Sequence, residues 1–127
     1  MTRAPLEAPI QIAIVAHFRS HYAGRIFHIP NGGRRGRLEA IRFKAMGVEA
    51  GVLDLEILNP AAHAFMEVKR VGGALTPAQR AFIRDLIAMN VPYAVVHSLE
   101  EAKMAFKAWK LVRRAATISA AEYRTGL

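Results

Sequence analysis

Residues 51–70 read "GVLDLEILNPAAHAFMEVKR". Two apolar runs, Gly51 to Leu58 and His63 to Val71, flank a turn at Asn59-Pro60 and read as a hairpin of two strands. Side chains alternate faces along a strand, so Glu67 and Lys69 share one face while Val68 points the other way with Met66 and Ala64. A tight turn centred on Pro60-Ala61 sets residue 54 opposite residue 67, both projecting from the same side of the pair. Charges in core strands are costly unless paired or bound to a metal. Two facing carboxylates repel, and a divalent cation between them reverses the sign of the interaction. Oxygen ligands without cysteine suit Mg²⁺ or Mn²⁺ rather than zinc. Lys69, on that face, is then placed to polarise a water or to stabilise charge on a phosphate. The same spacing also describes an ordinary hairpin whose exposed face carries an Asp54–Lys69 ion pair.

Outward from the hairpin, Leu6 to about Tyr22 reads as a helix with Ile10, Ile14 and Phe18 along one face, ended by Gly24. "RIFHIP" is a short strand stopped at Pro30 by the turn Asn31-Gly32-Gly33. Residues 34–46 form a basic, partly helical segment closed by Gly47. After Gly72-Gly73, Thr76-Pro77 starts a helix that runs to about Asn90. "YAVVH" is a β-branched strand, and Ser98 with Glu101 is a capping box opening a last helix to about Arg114. On that helix Ala102, Phe106 and Trp109 face the core, opposite a stripe of Lys103, Lys107, Lys110 and Arg114. The order is helix, three strands, helix, strand, helix, an α/β pattern in a single domain spanning 1–127, with the core at about 6–115 and a C-terminal tail at 116–127.

The 127 residues suit one domain with a modest core, and 53% hydrophobic content makes the chain globular. There are no cysteines, which excludes disulfides and thiolate metal sites and points to a reducing compartment. "PIQIAIVAHF" is about half the roughly 20 apolar residues needed to span a bilayer, and Glu7 and Pro9 interrupt any signal-like start. The expectation is an intracellular protein without a membrane partner. Eighteen Lys and Arg against ten Asp and Glu give +8, which favours a polyanionic partner, nucleic acid first. Clustering strengthens that reading, because Arg34, Arg35, Arg37, Arg42 and Lys44 fall within eleven positions.

Read together, "HIPNGGRRGRLEAIRFKAMGVEAGVLDLEI" and "AFMEVKRVGGALTPAQRAFI" closely resemble the VRR-NUC family, the virus-type replication-repair nucleases of the PD-(D/E)XK superfamily. The resemblance runs from about Glu7 to the helix after Ser98. It rests on the Pro-Asn-Gly turn, Lys-Ala-Met-Gly, Gly-x-x-Asp, Glu-x-Lys and a later Gln, in that order. It implies an α/β fold with a restriction-endonuclease-like αβββαβ core, a mixed central sheet flanked by helices, with Asp54 and Glu67 as carboxylate ligands of Mg²⁺ (Mn²⁺ substituting), the Val68 backbone carbonyl as a third ligand, and Lys69 as the catalytic lysine. Gln79 matches a glutamine near the scissile phosphate, while its spacing from Thr76 is equally that of a capping box. Glu7 matches an acid on the first helix that reaches the metal cluster; a first-turn Glu is also favoured by the helix dipole. Asn31, Arg34 and Lys44 match family positions on the DNA-facing side, and Arg35 and Arg37 of the same basic cluster are expected to bind DNA with them. The family usually has proline immediately before the metal-binding Asp, and Leu53 stands there.

Remaining polar residues read as structural. Glu56 shares a face with Asp54 and is expected to pair with an arginine rather than serve as an accessory ligand. His17 and His21 have ligand spacing without a third ligand, His28 is able to approach DNA, and His63 and His97 are structural. Phe65, Phe82, Phe106 and Trp109 are core positions rather than stacking platforms. What the resemblance implies is a Mg²⁺-dependent DNA endonuclease, structure-specific on four-way junctions as a homodimer, with no organic cofactor. Its expected place is the cytoplasm at the nucleoid, with phage or prophage origin in keeping with the family. The alternatives are a basic module that holds junctions without cutting, and a restriction-type enzyme reading a defined site.

Overall fold

The computed structural model describes residues 7–30 and 36–115. Along them run α1 (Glu7–His21), β1 (Arg25–His28), α2 (Arg37–Ala45), β2 (Leu55–Asn59), β3 (Ala62–Val68), α3 (Pro77–Ala88), β4 (Tyr93–Val96) and α4 (Leu99–Ala108). The hairpin forms around Pro60-Ala61. Asn59 pairs with Ala62, Leu55 with Met66, and the Asn59 side-chain oxygen accepts the Ala61 N–H at 2.9 Å to close the turn. The sheet order is β1-β2-β3-β4, with β1–β2 and β2–β3 antiparallel and β3–β4 parallel. This is the expected mixed sheet, and the partly helical segment expected between β1 and β2 forms α2.

Alternation divides the hairpin between two cores. Leu55 and Ile57 of β2 and Ala64, Met66 and Val68 of β3 pack with Ile14 and Phe18 of α1 and Ala102 and Phe106 of α4. Each large apolar side chain buried in this way contributes roughly 1.5–3 kcal/mol. On the other face Leu53, Ile83 and Leu86 form a smaller cluster, with Phe65, Phe82, Tyr93 and Val95 packed against it. Helices α1 and α4 therefore cover one face, and α3 covers the face that carries the hairpin's charges. Among the described residues no helix is long and apolar enough to cross a membrane.

Three boundaries differ from expectation. β2 begins at Leu55 and β3 ends at Val68, so Asp54 and Lys69 flank the strands instead of lying inside them. Lys69 still donates its N–H to Val96 at 2.9 Å, which keeps the end of β3 against β4. α4 stops at Ala108, not near Arg114, because Lys110 adopts φ +55 and the Lys110 and Leu111 amides fold back onto Lys107 and Phe106. Lys110 and Arg114 consequently lie off the helix, and the four-residue basic stripe is not one surface line. The Arg114 guanidinium instead donates to the Arg19 carbonyl at 3.1 Å, and that of Arg113 sits 5.3 Å from the centre of the Tyr22 ring. A non-glycine residue in the left-handed region is strained. Lys110→Gly is expected to raise stability by about 0.5–1 kcal/mol, read as a higher urea midpoint with an unchanged slope.

Candidate active site

The hairpin register, carried one step past Leu55–Met66, brings Asp54 opposite Glu67. There the side chains take over the pairing. The Asp54 N–H donates to Glu67 Oε1 at 3.0 Å, and the Val68 N–H donates to Asp54 Oδ2 at 2.9 Å. The Asp54 carbonyl accepts the Ile29 N–H at 2.8 Å and lies 2.9 Å from His28 Nδ1. A carbonyl only accepts, so this contact assigns the proton of the His28 ring to Nδ1.

The Gly-x-x-Asp motif has a steric basis. Gly51 has φ +85, and a Cβ there would stand 2.3 Å from the Ala78 carbonyl oxygen. Only glycine lets this loop press against the start of α3 and bring Asp54 within reach of it. Leu53, standing where a proline is usual, is fully buried against Ile83 and Leu86. Its side chain anchors the loop by packing.

Gln79 closes the expected capping box and also reaches Glu67. Its N–H donates to Thr76 Oγ1 and its Oε1 accepts from the Thr76 N–H at 2.9 Å, completing the capping box. That cap fixes the amide so that Nε2 donates to Glu67 Oε2 at 2.8 Å. Lys69 Nζ lies 3.4 Å from the same oxygen. Lys69 therefore pairs with Glu67, and the Asp54–Lys69 ion pair of the ordinary-hairpin reading is not among the described ion pairs.

Glu67 is 2% exposed. Burial first, and the Asp54 charge second, raise its carboxyl from 4.5 to about 7, against the pull of Lys69 and the Asp54 amide. Between those two values the folded chain holds a proton that the unfolded chain has lost. Stability from this group is therefore full at low pH and falls as pH rises toward 7. In EDTA the wild type is expected to lose on the order of 2 kcal/mol across that window relative to Glu67→Gln. Urea melts of both proteins from about pH 5 to pH 8 check this, and parallel profiles would remove the buried carboxylate as the cause.

Asp54, Glu67, Lys69 and Gln79 open onto one cavity of about 550 Å³, whose walls also include Glu7, His28 and Thr76. Glu7 stands at the wall, with Oε2 accepting the Arg70 N–H at 3.3 Å. Among the described residues no three His, Cys, Asp or Glu side chains converge closely enough to hold a metal ion. Glu7 is thus brought to the cavity without closing a three-carboxylate cluster. Arg37 and Lys44 are exposed on α2, Lys44 at the wall of an adjoining cavity, whereas Asn31, Arg34 and Arg35 lie outside the described residues.

Glu56 pairs with His63 Nε2 at 2.6 Å, not with an arginine, because the hairpin sets the two on one face across the strands. His17 and His21 stack with ring centres 4.1 Å apart, and His97 bonds Glu101 at 3.0 Å. Sequence reasoning missed His28 as a support of the Asp54 backbone and Thr76 as a wall of the cavity. The one available signal for His28 was its place at the end of a strand entering the Pro-Asn-Gly turn.

Comparison with known proteins follows the same lines. A family model described as the VRR-NUC domain matches residues 7–100. A solved structure described as a VRR_NUC domain protein is 26% identical, with a TM-score of 0.68, over 87% of this chain and 93% of that chain. No curated protein matches the chain.

Proposed function

Since the chain belongs to the VRR-NUC domain family, whose activity is of the nuclease type, we propose that it is a Mg²⁺-dependent DNA endonuclease, structure-specific on four-way junctions and acting as a homodimer. The observation that carries this reading is the pairing of Asp54 with a buried Glu67 beside Lys69, in a cavity open to solvent. A hairpin needs no such arrangement for stability, since a carboxyl held at about 7 is a cost to the fold.

The donor set fits a hard cation. Asp54 and Glu67 bring carboxylate oxygens to one side of the hairpin, and a divalent charge there would relieve the repulsion that raises Glu67. Asp54 and Glu67 would hold the ion, with the Val68 carbonyl as the further ligand that the family resemblance implies. When bound, Mg²⁺ polarises a phosphate oxygen and lowers the pKa of a water. The chain's own residues position the rest. Gln79, locked by Thr76, keeps Glu67 Oε2 in place. His28 and Ile29 hold the Asp54 backbone from behind. The Lys69 ammonium, beside Glu67, donates to the attacking water or to the phosphate as charge develops during in-line displacement of the 3′ oxygen.

The net charge of +8 supports a grip on flanking phosphates, with a steep loss of binding as salt rises. A two-fold dimer would set two sites symmetrically across a junction, as paired incision requires. Ile12, 69% exposed on α1, is apolar surface suited to such an interface. A monomer by light scattering at working concentration would sink the dimer.

The test is cleavage of a labelled four-way junction beside the matching duplex and a flap, with Mg²⁺, Mn²⁺ or EDTA. Symmetric, metal-dependent nicks confined to the junction are the expected result. Junction binding without cleavage under any metal would favour a non-cutting module, and cuts at fixed sequences in plain duplex would favour a restriction-type enzyme.

A further inference from the structure

A second cavity, of about 600 Å³, adjoins the first and shares Gly51 and Thr76 with it. Its volume lies in the range of small-molecule sites. Ala40 and Phe43 of α2, Val48 and Ala50 of the following loop, and Ala78 of α3 make its apolar walls. Lys44 and Glu49 supply the charge. The described ion pairs are His63–Glu56, Lys69–Glu67, His97–Glu101 and Lys103–Glu100, so neither Lys44 nor Glu49 is paired with the other.

We propose that this second cavity is a base subsite, which receives the nucleobase next to the scissile phosphate after that base has left the stack. The inference rests on the nuclease reading of the neighbouring cavity. Its chemistry argues for a base over a second phosphate. Apolar walls accept a neutral flat ring, and the Glu49 carboxylate repels a phosphate but accepts a hydrogen bond from an exocyclic amino group. Lys44 is left for the phosphate of the same nucleotide. α2 has no fully buried residue of its own, and its Ala40, Phe43 and Lys44 line this cavity.

The subsite also gives branch selectivity a physical source. Turning a base out of an intact duplex costs a few kcal/mol, and least where pairing is already broken. A cavity that must be filled beside the cut therefore favours branch points over plain duplex.

The test places 2-aminopurine on either side of the scissile phosphate of a junction and reads fluorescence on binding in EDTA. The variant is Ala40→Trp, which fills the cavity from an exposed helical position. The wild type is expected to give a several-fold rise at one of the two positions, and Ala40→Trp, with an unchanged melting curve, to abolish it. In Mg²⁺ the variant should cut the intact junction at least tenfold more slowly, but cut a junction abasic at that position as fast as wild type does. Glu49→Gln should move the preference at that position toward thymine, whose O4 accepts from an amide. No rise at either position, or an Ala40→Trp protein that matches wild type in both fluorescence and rate, overturns the subsite. A wild type that cuts nothing sinks the nuclease reading instead, and the fluorescence in EDTA still decides whether a base enters the cavity.

Discussion

Asp54→Asn is expected to make the metal-free protein more stable at about pH 8, by about 1 kcal/mol, while cleavage falls by about 10³-fold or more. The stabilising part follows from Glu67. The Asp54 charge is the second cause of its raised carboxyl, and removing that charge lets Glu67 ionise at lower cost. The geometry survives the change. An Asn side chain keeps an oxygen for the Val68 N–H, and the Asp54 backbone N–H that bonds Glu67 is untouched. On the proposed mechanism activity falls because the site would no longer present two carboxylates to a cation. On the proposed reading Mg²⁺ raises the melting temperature of the wild type, and the same variant should lose that rise, since a ligand stabilises only the state that binds it. Urea melts with EDTA and with Mg²⁺, run beside the junction assay, check all three outcomes. A variant that is less stable in EDTA would show that the two carboxylates do not strain the fold.

Lys69→Ala is expected to lower cleavage by about 10²–10⁴-fold as well, with the opposite effect on stability. Its ammonium is the cation 3.4 Å from Glu67 Oε2, on a side chain only 13% exposed. Without it Glu67 titrates still higher, and the ionised form is left buried without its partner. Loss of one member of a largely buried pair is destabilising, here on the order of 2 kcal/mol above pH 7 and little below it. Stability therefore separates two variants that activity alone does not. Asp54→Asn in the Lys69→Ala background should recover part of the lost stability without recovering cleavage, and no recovery at all would show that the two changes do not act through Glu67.

Much of the scaffold was legible in the chain. Alternation in "EILNPAAHAFMEV" and a two-residue turn at Pro60-Ala61 leave one register that buries Ala64, Met66 and Val68, and that register alone puts Asp54 across from Glu67. Thr76-Pro77 and Ser98 marked the starts of α3 and α4 because caps are local chemistry, carried by residues three apart. The end of α4 was not legible, since the stop is made by Lys110 in a conformation that glycine usually supplies. The partner of Glu56 was likewise missed, because histidine and arginine are interchangeable guesses until a register names the neighbour.

The sequence by itself determined the order of the elements, the hairpin and the set of charged residues that meet at its end, because periodicity and turn length act over a few residues and a slip of one would expose a core face. Tertiary structure decided what those residues do to one another. Glu67 meets Gln79 across the packing of β3 against α3, Gly51 lets its loop close on α3, Asp54 is held by His28 across another strand, and Glu7 reaches Arg70 from 63 positions away. Burial and the charges that face a carboxyl are properties of elements distant in the chain, so the shift of Glu67 to about 7 is set by packing that no local pattern encodes.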